Sequence, residues 1–283
     1  MITDSQTNFL YLADSLKKMY PSFFNEFEKV LIDCHIPYEF LTPTKDVWAV
    51  DYMPMQIEKN KFVQFVYNPD YLSKYNKWRK TISDVEAICR GIDIIPEKTD
   101  ILLDGGNVVR AKNKVIMTDK VFIENPAIEK RTLIKRLEKI LETDRIVFVP
   151  RHPLDFTGHA DGIVRFLNDH TVLINAGSEK ATQKEKEFES SLRLALHNAC
   201  LEYIEIPSNT SGNSNNKEAN GEYLNYLQME NVIIIPVFGI KEDDIVEKKF
   251  KELFSGIKIV TMNSNDIAKE GGILNCISWN IVK

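Results

Sequence analysis

The chain has 283 residues, 43 % of them apolar and 27 % charged, with a net charge of −5. That is long enough to bury a large core, and the balance is that of an ordinary globular protein. No basic stripe is present, and no apolar run approaches the ~20 residues of a membrane helix, so neither nucleic acid nor a bilayer is an expected partner.

Met1 to Tyr11 shows no basic stretch leading into an apolar one, so a secretory signal is not expected and a cytoplasmic location is. Cys34, Cys89, Cys200 and Cys276 lie far apart and form no C-x-x-C pair. They support neither a disulfide framework nor a zinc ribbon.

The first predicted element is a helix, because Phe23, Phe27, Val30, Leu31 and Cys34 fall on one face. Phe62 to Tyr67 and Val115 to Met117 read as buried strands. A second helix carries Leu133, Leu137, Ile140 and Leu141, with Asn125 as its expected cap and Pro126 in its first turn. Strands follow at Ile146 to Val149 and Thr171 to Ile174, then a helix through Phe188, Leu192, Ala195, Leu196 and Ala199. Ser208 to Gly221 is rich in Ser, Asn and Gly and reads as a surface loop or a cover over a site. Val232 to Ile235 and Ile257 to Val260 complete the strands. Strand pairs, a helix and a further strand recur with a period of roughly 55 residues, in about five units. The class is therefore α/β, in one domain spanning 1–283.

Four motifs carry chemistry. Asp46-Val47-Trp48-Ala49-Val50-Asp51-Tyr52-Met53-Pro54 sets two acids and a tryptophan before a proline turn. Leu103-Asp104-Gly105-Gly106-Asn107 precedes the strand Val108-Val109-Arg110; its glycines serve either a tight turn or close approach to a ligand. In Asp155-Phe156-Thr157-Gly158-His159-Ala160-Asp161-Gly162, a strand would put His159 and Asp161 on one face, as catalysis or metal binding requires. Glu270-Gly271-Gly272-Ile273-Leu274-Asn275-Cys276 places a cysteine behind a glycine pair, whereas the other three cysteines read as small buried hydrophobes.

In this order the four motifs resemble the Porphyromonas-type peptidylarginine deiminase and agmatine deiminase family of the guanidino-group-modifying, or pentein, superfamily. Thr118-Asp119-Lys120-Val121 and the run from Glu222-Tyr223-Leu224-Asn225 to Ile235-Pro236-Val237-Phe238-Gly239 add to the likeness. The resemblance implies a five-bladed, pseudo-fivefold α/β propeller of ββαβ-type units with the site on its axis. It gives Cys276 as nucleophile, His159 as acid and base, Asp51 and Asp161 as clamps on the guanidinium, and Asp104 as the acid that orients His159. It also implies substrate contacts from Trp48, Asp155, Asn107, Arg110 and Asn275. Val50 and Met53 depart from the family's arginine and glycine, Asp104 stands where glutamate is common, and Asn275 stands where many agmatine deiminases have histidine.

The chemistry suits those residue types. A guanidinium is a planar cation with paired N–H donors, which two carboxylates can hold bidentately. A thiol with a pKa near about 8.5 must ionise to attack, and a bound cation promotes that. One histidine can protonate the departing nitrogen and then deprotonate water. The expected partner is a small guanidine such as agmatine or arginine. Cofactor and metal are not called for, and self-association is left open. Agmatine would need an acid such as Asp155 at its far end, whereas arginine would need a cation from Arg110, Arg151 or Arg165. Amidino transfer is a variant on the same framework. The competing readings are a metal-dependent hydrolase built on His152, His159 and Asp161, which leaves Cys276 unused, and a non-catalytic guanidine binder.

Overall fold

The structure is a computed structural model that describes residues 1–73, 79–178, 180–215 and 217–283. Strand β1 (Phe9–Ala13) leads through helices α1 (Asp14–Met19) and α2 (Pro21–Asp33) to β2 (Tyr38–Leu41), which runs parallel to it. After the single-turn α3 (Ala49–Tyr52), β3 (Met55–Glu58) and β4 (Lys61–Val66) pair antiparallel. Helices α4 (Asp70–Ser73) and α5 (Val85–Gly91) lie between β4 and its parallel neighbour β5 (Glu97–Leu102).

The same plan recurs. Strands β6 (Val109–Arg110) and β7 (Lys114–Thr118) are antiparallel, and α6 (Lys120–Glu124) and α7 (Lys130–Leu141) precede the parallel β8 (Arg145–Val149). Next come β9 (Val164–Phe166), β10 (Thr171–Asn175), α8 (Gln183–Asn198) and β11 (Glu202–Ile206). A fourth repeat is β12 (Leu227–Met229), β13 (Val232–Val237), α9 (Glu242–Leu253) and β14 (Lys258–Asn263). After the short α10 (Asn265–Ala268), β15 (Ser278–Ile281) pairs antiparallel with β1, Leu10 facing Asn280. Among the described residues this makes five three-stranded sheets, and the last strand of the chain completes the sheet that the first begins. No described helix is long and apolar enough to cross a membrane.

Side-chain alternation explains how neighbouring sheets and helices share a core. On β7, Val115 and Met117 pack with Leu133, Leu137 and Leu141 of α7. Ile116, between them, points the other way and packs with Leu192 and Leu196 of α8. A strand buried on both faces reads as an unbroken apolar run, which is why β7, β8, β10 and β13 were legible.

Two local expectations are corrected. Helix α7 starts at Lys130, where the Glu129 carboxylate accepts from the N–H groups of Arg131 and Thr132 at 3.0 and 2.8 Å. Asn125 instead ends α6; its amide is buried and bonds both the N–H and the carbonyl of Leu102. The Asp155–Gly162 segment is a loop between β8 and β9, not a strand.

Leu137 is fully buried and Leu194 is 60 % exposed. Leu137→Ala is expected to cost about 2–5 kcal/mol in urea denaturation, and Leu194→Ala within about 0.5 kcal/mol of zero.

Candidate active site

Each sheet-to-sheet link brings polar groups to one place. Asp51 lies in α3 between β2 and β3, and Asp104 to Asn107 lie between β5 and β6. His159 and Asp161 lie between β8 and β9, Asn225 between β11 and β12, and Cys276 between β14 and β15. Backbone bonds stitch these links together. Gly106 N–H donates to Asp51 Oδ1 at 2.9 Å, and Asp161 N–H donates to the Gly106 carbonyl at 3.1 Å. Val50 N–H reaches the Cys276 carbonyl at 3.3 Å.

Glycines permit this closeness. A Cβ on Gly105 would stand 1.8 Å from the Val50 carbonyl oxygen, and one on Gly106 would stand 2.6 Å from His159 Nδ1 and 2.7 Å from Asp51 Oδ1. At Gly272 it would meet the Trp48 ring at 2.4 Å and Cys276 Cβ at 3.0 Å.

The histidine sits between two acids. Its Nε2 is 2.9 Å from Asp104 Oδ2, and its Nδ1 is 3.5 Å from Asp51 Oδ1. The cysteine has its own frame: Asn225 Nδ2 donates to Cys276 Sγ at 3.1 Å and to Asp161 Oδ2 at 2.9 Å. Asn225 Oδ1 accepts from the N–H groups of Ile273 and Cys276, both at 3.2 Å. The thiol lies 3.6 Å from Asp161 Oδ2, which also accepts from Asn275 Nδ2 at 2.7 Å. Cys276, His159, Asp51, Asp161 and Trp48 line a common cavity of about 740 Å³, walled in part by Ser208, Thr210, Asn213, Asn215 and Glu218.

Burial decides the protonation of this site. It pushes the Asp51 carboxyl up to about 7, with Asp104 and Asp161 adding to the effect and His159 opposing it. It raises the Asp161 carboxyl as well, against the pull of His159 and the Asn275 amide. It drives the Cys276 thiol well above its ordinary range, and the charges of Asp161 and Asp51 reinforce this. Burial alone would pull the imidazole down, but Asp51 and Asp104 prevail over it and over Lys120, and hold His159 at about 9. Burial would also raise Asp104, yet its bond to His159 and the Lys120 ammonium keep it below the usual carboxylate value. At neutral pH the empty site therefore holds a thiol and an imidazolium, poised for an incoming cation.

The expected substrate contacts divide. Trp48 and Asp155 line the cavity. Asp155 also organises its own loop, accepting from Thr157 N–H at 2.7 Å and His159 N–H at 3.2 Å. Asn107 is fully buried, and its Oδ1 accepts from the N–H and the hydroxyl of Thr118, so it is a strut. Asn275 lies behind Asp161, outside the cavity lining. Arg110 and Arg165 both bind Asp4 and line a separate space of about 30 Å³, and Arg151 pairs with Asp119 on the surface. None of the three lines the larger cavity. His152 does line it and packs its ring against Phe188, 4.8 Å between centroids. Among the described residues no group of three or more His, Cys, Asp or Glu side chains converges with metal-binding geometry.

Sequence reasoning missed the roles of Asn225, Glu222 and Lys120. Asn225 and Glu222 fall within one quoted run, and Lys120 within another, but only their contacts distinguish them from turn and surface residues. Glu222 lines the cavity, and burial, aided by Asp155 and Asp161, holds its carboxyl at about 8.

A buried cysteine and a histidine flanked by acids are thus assembled from the links of a five-sheet α/β fold. The chain belongs to the Porphyromonas-type peptidyl-arginine deiminase family, whose model matches residues 12–281. Enzymes of this family hydrolyse guanidino groups, and this chain is such an enzyme. A Selenomonas ruminantium protein provisionally named agmatine deiminase is 21 % identical, over 87 % of this chain and 76 % of its own. The solved agmatine deiminase of C. jejuni superposes with a TM-score of 0.82 at 17 % identity, covering 100 % of this chain and 95 % of that one. A substituted form of it with substrate bound gives a TM-score of 0.81 at 16 % identity, covering 100 % and 96 %.

Gly106→Ala is expected to wedge His159 away from Asp51. Turnover of the protein's guanidine substrate should fall about 100-fold in kcat/KM, with the circular dichroism spectrum retained.

Proposed function

We propose that this chain is a deiminase of a small guanidine with a second positive charge at its far end, of which agmatine is the simplest. The observation that carries this is the lining of the cavity. Carboxylates outnumber cations among the described residues there, with Asp51 and Asp161 at one end and Asp155 with Glu222 beside them. Arginine's carboxylate has no partner in Arg110, Arg151 or Arg165, all of which lie outside that lining; among the described residues the Lys and Arg side chains within it are Lys45, Lys217 and Arg193, and Arg193 is already paired with Glu205. An ammonium beside Glu222 would favour its ionised form and pair with it. The relatives named agmatine deiminase support the same choice.

The proposed chemistry uses the groups in the places described. Asp51 and Asp161 grip the guanidinium fork and bring its central carbon to Cys276. The substrate's charge promotes loss of the thiol proton to solvent, and the thiolate adds to that carbon. The His159 imidazolium gives its proton to the departing nitrogen, which leaves as ammonia, and the carbon stays bound to sulfur as an S-alkylthiouronium. Neutral His159 then takes a proton from water as the oxygen adds. Collapse of the adduct breaks the C–S bond, passes the hydroxyl proton to the departing sulfur, and so releases the ureido product and restores the thiol. Asp104 fixes the imidazole's orientation throughout. The repeated connectivity and the β15–β1 pairing support a closed ring of five blades around this site, in one domain.

Turnover read as ureido product across agmatine, arginine, methylated arginines and guanidinobutyrate is expected to favour agmatine over arginine by about 100-fold in kcat/KM. Equal rates for the two would remove the dication assignment. Cys276→Ser should lose turnover with thermal stability kept; normal activity would end the nucleophile's role.

The pH profile follows from the same groups. Asp51 must be ionised to clamp a cation, and it gains a proton as pH falls through about 7. His159 must be protonated to act as acid, and it loses its proton as pH rises through about 9. A bell-shaped kcat/KM with limbs near those values is expected, and the acid limb should vanish in Asp51→Asn, along with much of the activity. An unaltered acid limb in that variant would assign it to another group.

A further inference from the structure

Lys120 stands behind His159. It is the first residue of α6, and its side chain is 3 % exposed. Its Nζ bonds Asp104 Oδ2, the same oxygen that His159 Nε2 meets at 2.9 Å. It also lies 3.5 Å from His159 Nε2, 3.4 Å from Glu124 Oε1 and 4.9 Å from the centroid of the Tyr71 ring. An ion pair that served only packing would not need an ammonium in contact with an imidazole that is itself cationic. Two donors share one carboxylate oxygen, and the two cations repel.

We infer that Lys120 is a positioning residue that tunes the proton affinity of His159, by dividing the Asp104 carboxylate between ammonium and imidazole. The inference deepens the deiminase reading, because it takes His159 as the proton carrier. The groups that face the imidazole are Asp51 from α3, Asp104 from the turn after β5, Tyr71 from α4, Lys120 from α6, and Asp161 from its own loop. Of these, only Lys120 carries positive charge. The carboxylates favour the imidazolium, and a carrier held too firmly protonated is a poor acid. Lys120 is the counterweight that lets His159 release its proton to the leaving nitrogen.

The test is an NMR titration of the His159 ring in Lys120→Met, Lys120→Gln and Lys120→Arg. Loss of the charge should raise the midpoint by about one pH unit or more, while arginine should hold it within about 0.3. The alkaline limb of kcat/KM should rise with it. Should Lys120→Met fail to fold, Lys120→Gln keeps a donor toward Asp104 without the charge and is read in the same way. An unchanged midpoint in either folded variant would show that Lys120 only packs. The titration needs no turnover, so failure of the deiminase reading would not be mistaken for failure of this one.

Discussion

A stretch of backbone without side chains holds the active site together. Gly105 passes beneath Val50 at a distance that no Cβ allows, and Gly106 then gives its N–H to Asp51 and its carbonyl to the N–H of Asp161. One peptide segment thereby fixes the Asp51 carboxylate and the backbone of Asp161, the two residues proposed to grip the guanidinium. In that proposal their spacing is set before any ligand arrives, so ordering entropy does not have to be lost on binding. The same segment begins with Asp104, which holds the histidine. The two glycines therefore couple the substrate clamp to the proton carrier through rigid covalent geometry.

Packing so many acids into a buried space is unfavourable unless they are bonded, paired or protonated. The protein uses all three remedies. Asn225 and Asn275 donate to Asp161, Lys120 pairs with Asp104, and Asp51 binds its proton at about 7. Cys276 remains a thiol for the same electrostatic reason. In the proposed mechanism a bound guanidinium supplies the missing positive charge, so the groups that recognise it and the group that attacks it become ionised together. Recognition and activation would then be one electrostatic event.

The strands that were legible, such as β7 and β13, are continuous apolar runs buried on both faces. Those that were not are short or polar. The first turn of β5 is Glu97-Lys98-Thr99-Asp100, β9 and β12 have three residues each, and β15 carries Ser278 and Asn280 into the interior, where Asn280 bonds Thr7 and the Gln228 carbonyl. Tertiary partners make these strands, and periodicity cannot show them. At the site, Cys276, His159, Asp161, Asp51 and Asp104 were all readable from motif order, and the structure brings them together. Asn107 and Arg110 were misread because proximity in sequence to Asp104 does not give proximity to the cavity. Val108 to Arg110 turn away into β6, and Arg110 ends beside Asp4. Asn225 and Lys120 escaped for the opposite reason, since their partners lie 51 residues away at Cys276 and 16 away at Asp104.

The position of the nucleophile ties catalysis to the integrity of the fold. Cys276 lies two residues before β15, and β15 is held by pairing with β1, by the Trp279 Nε1–H bond to the Pro54 carbonyl at 2.8 Å, and by packing of Trp279 on Tyr11 and Phe62. A short edge strand such as β15 is among the segments that open most readily. Here fraying would carry away the sulfur while leaving His159 and Asp104 where they are, because those two are anchored in other links. The polar contacts inside β15 add to the hold on the strand, since opening would break the Asn280 bonds to Thr7 and to the Gln228 carbonyl. The buried polarity of the last strand, which hid it from sequence reasoning, is thus the feature that keeps Cys276 against Asp161 and Asn225.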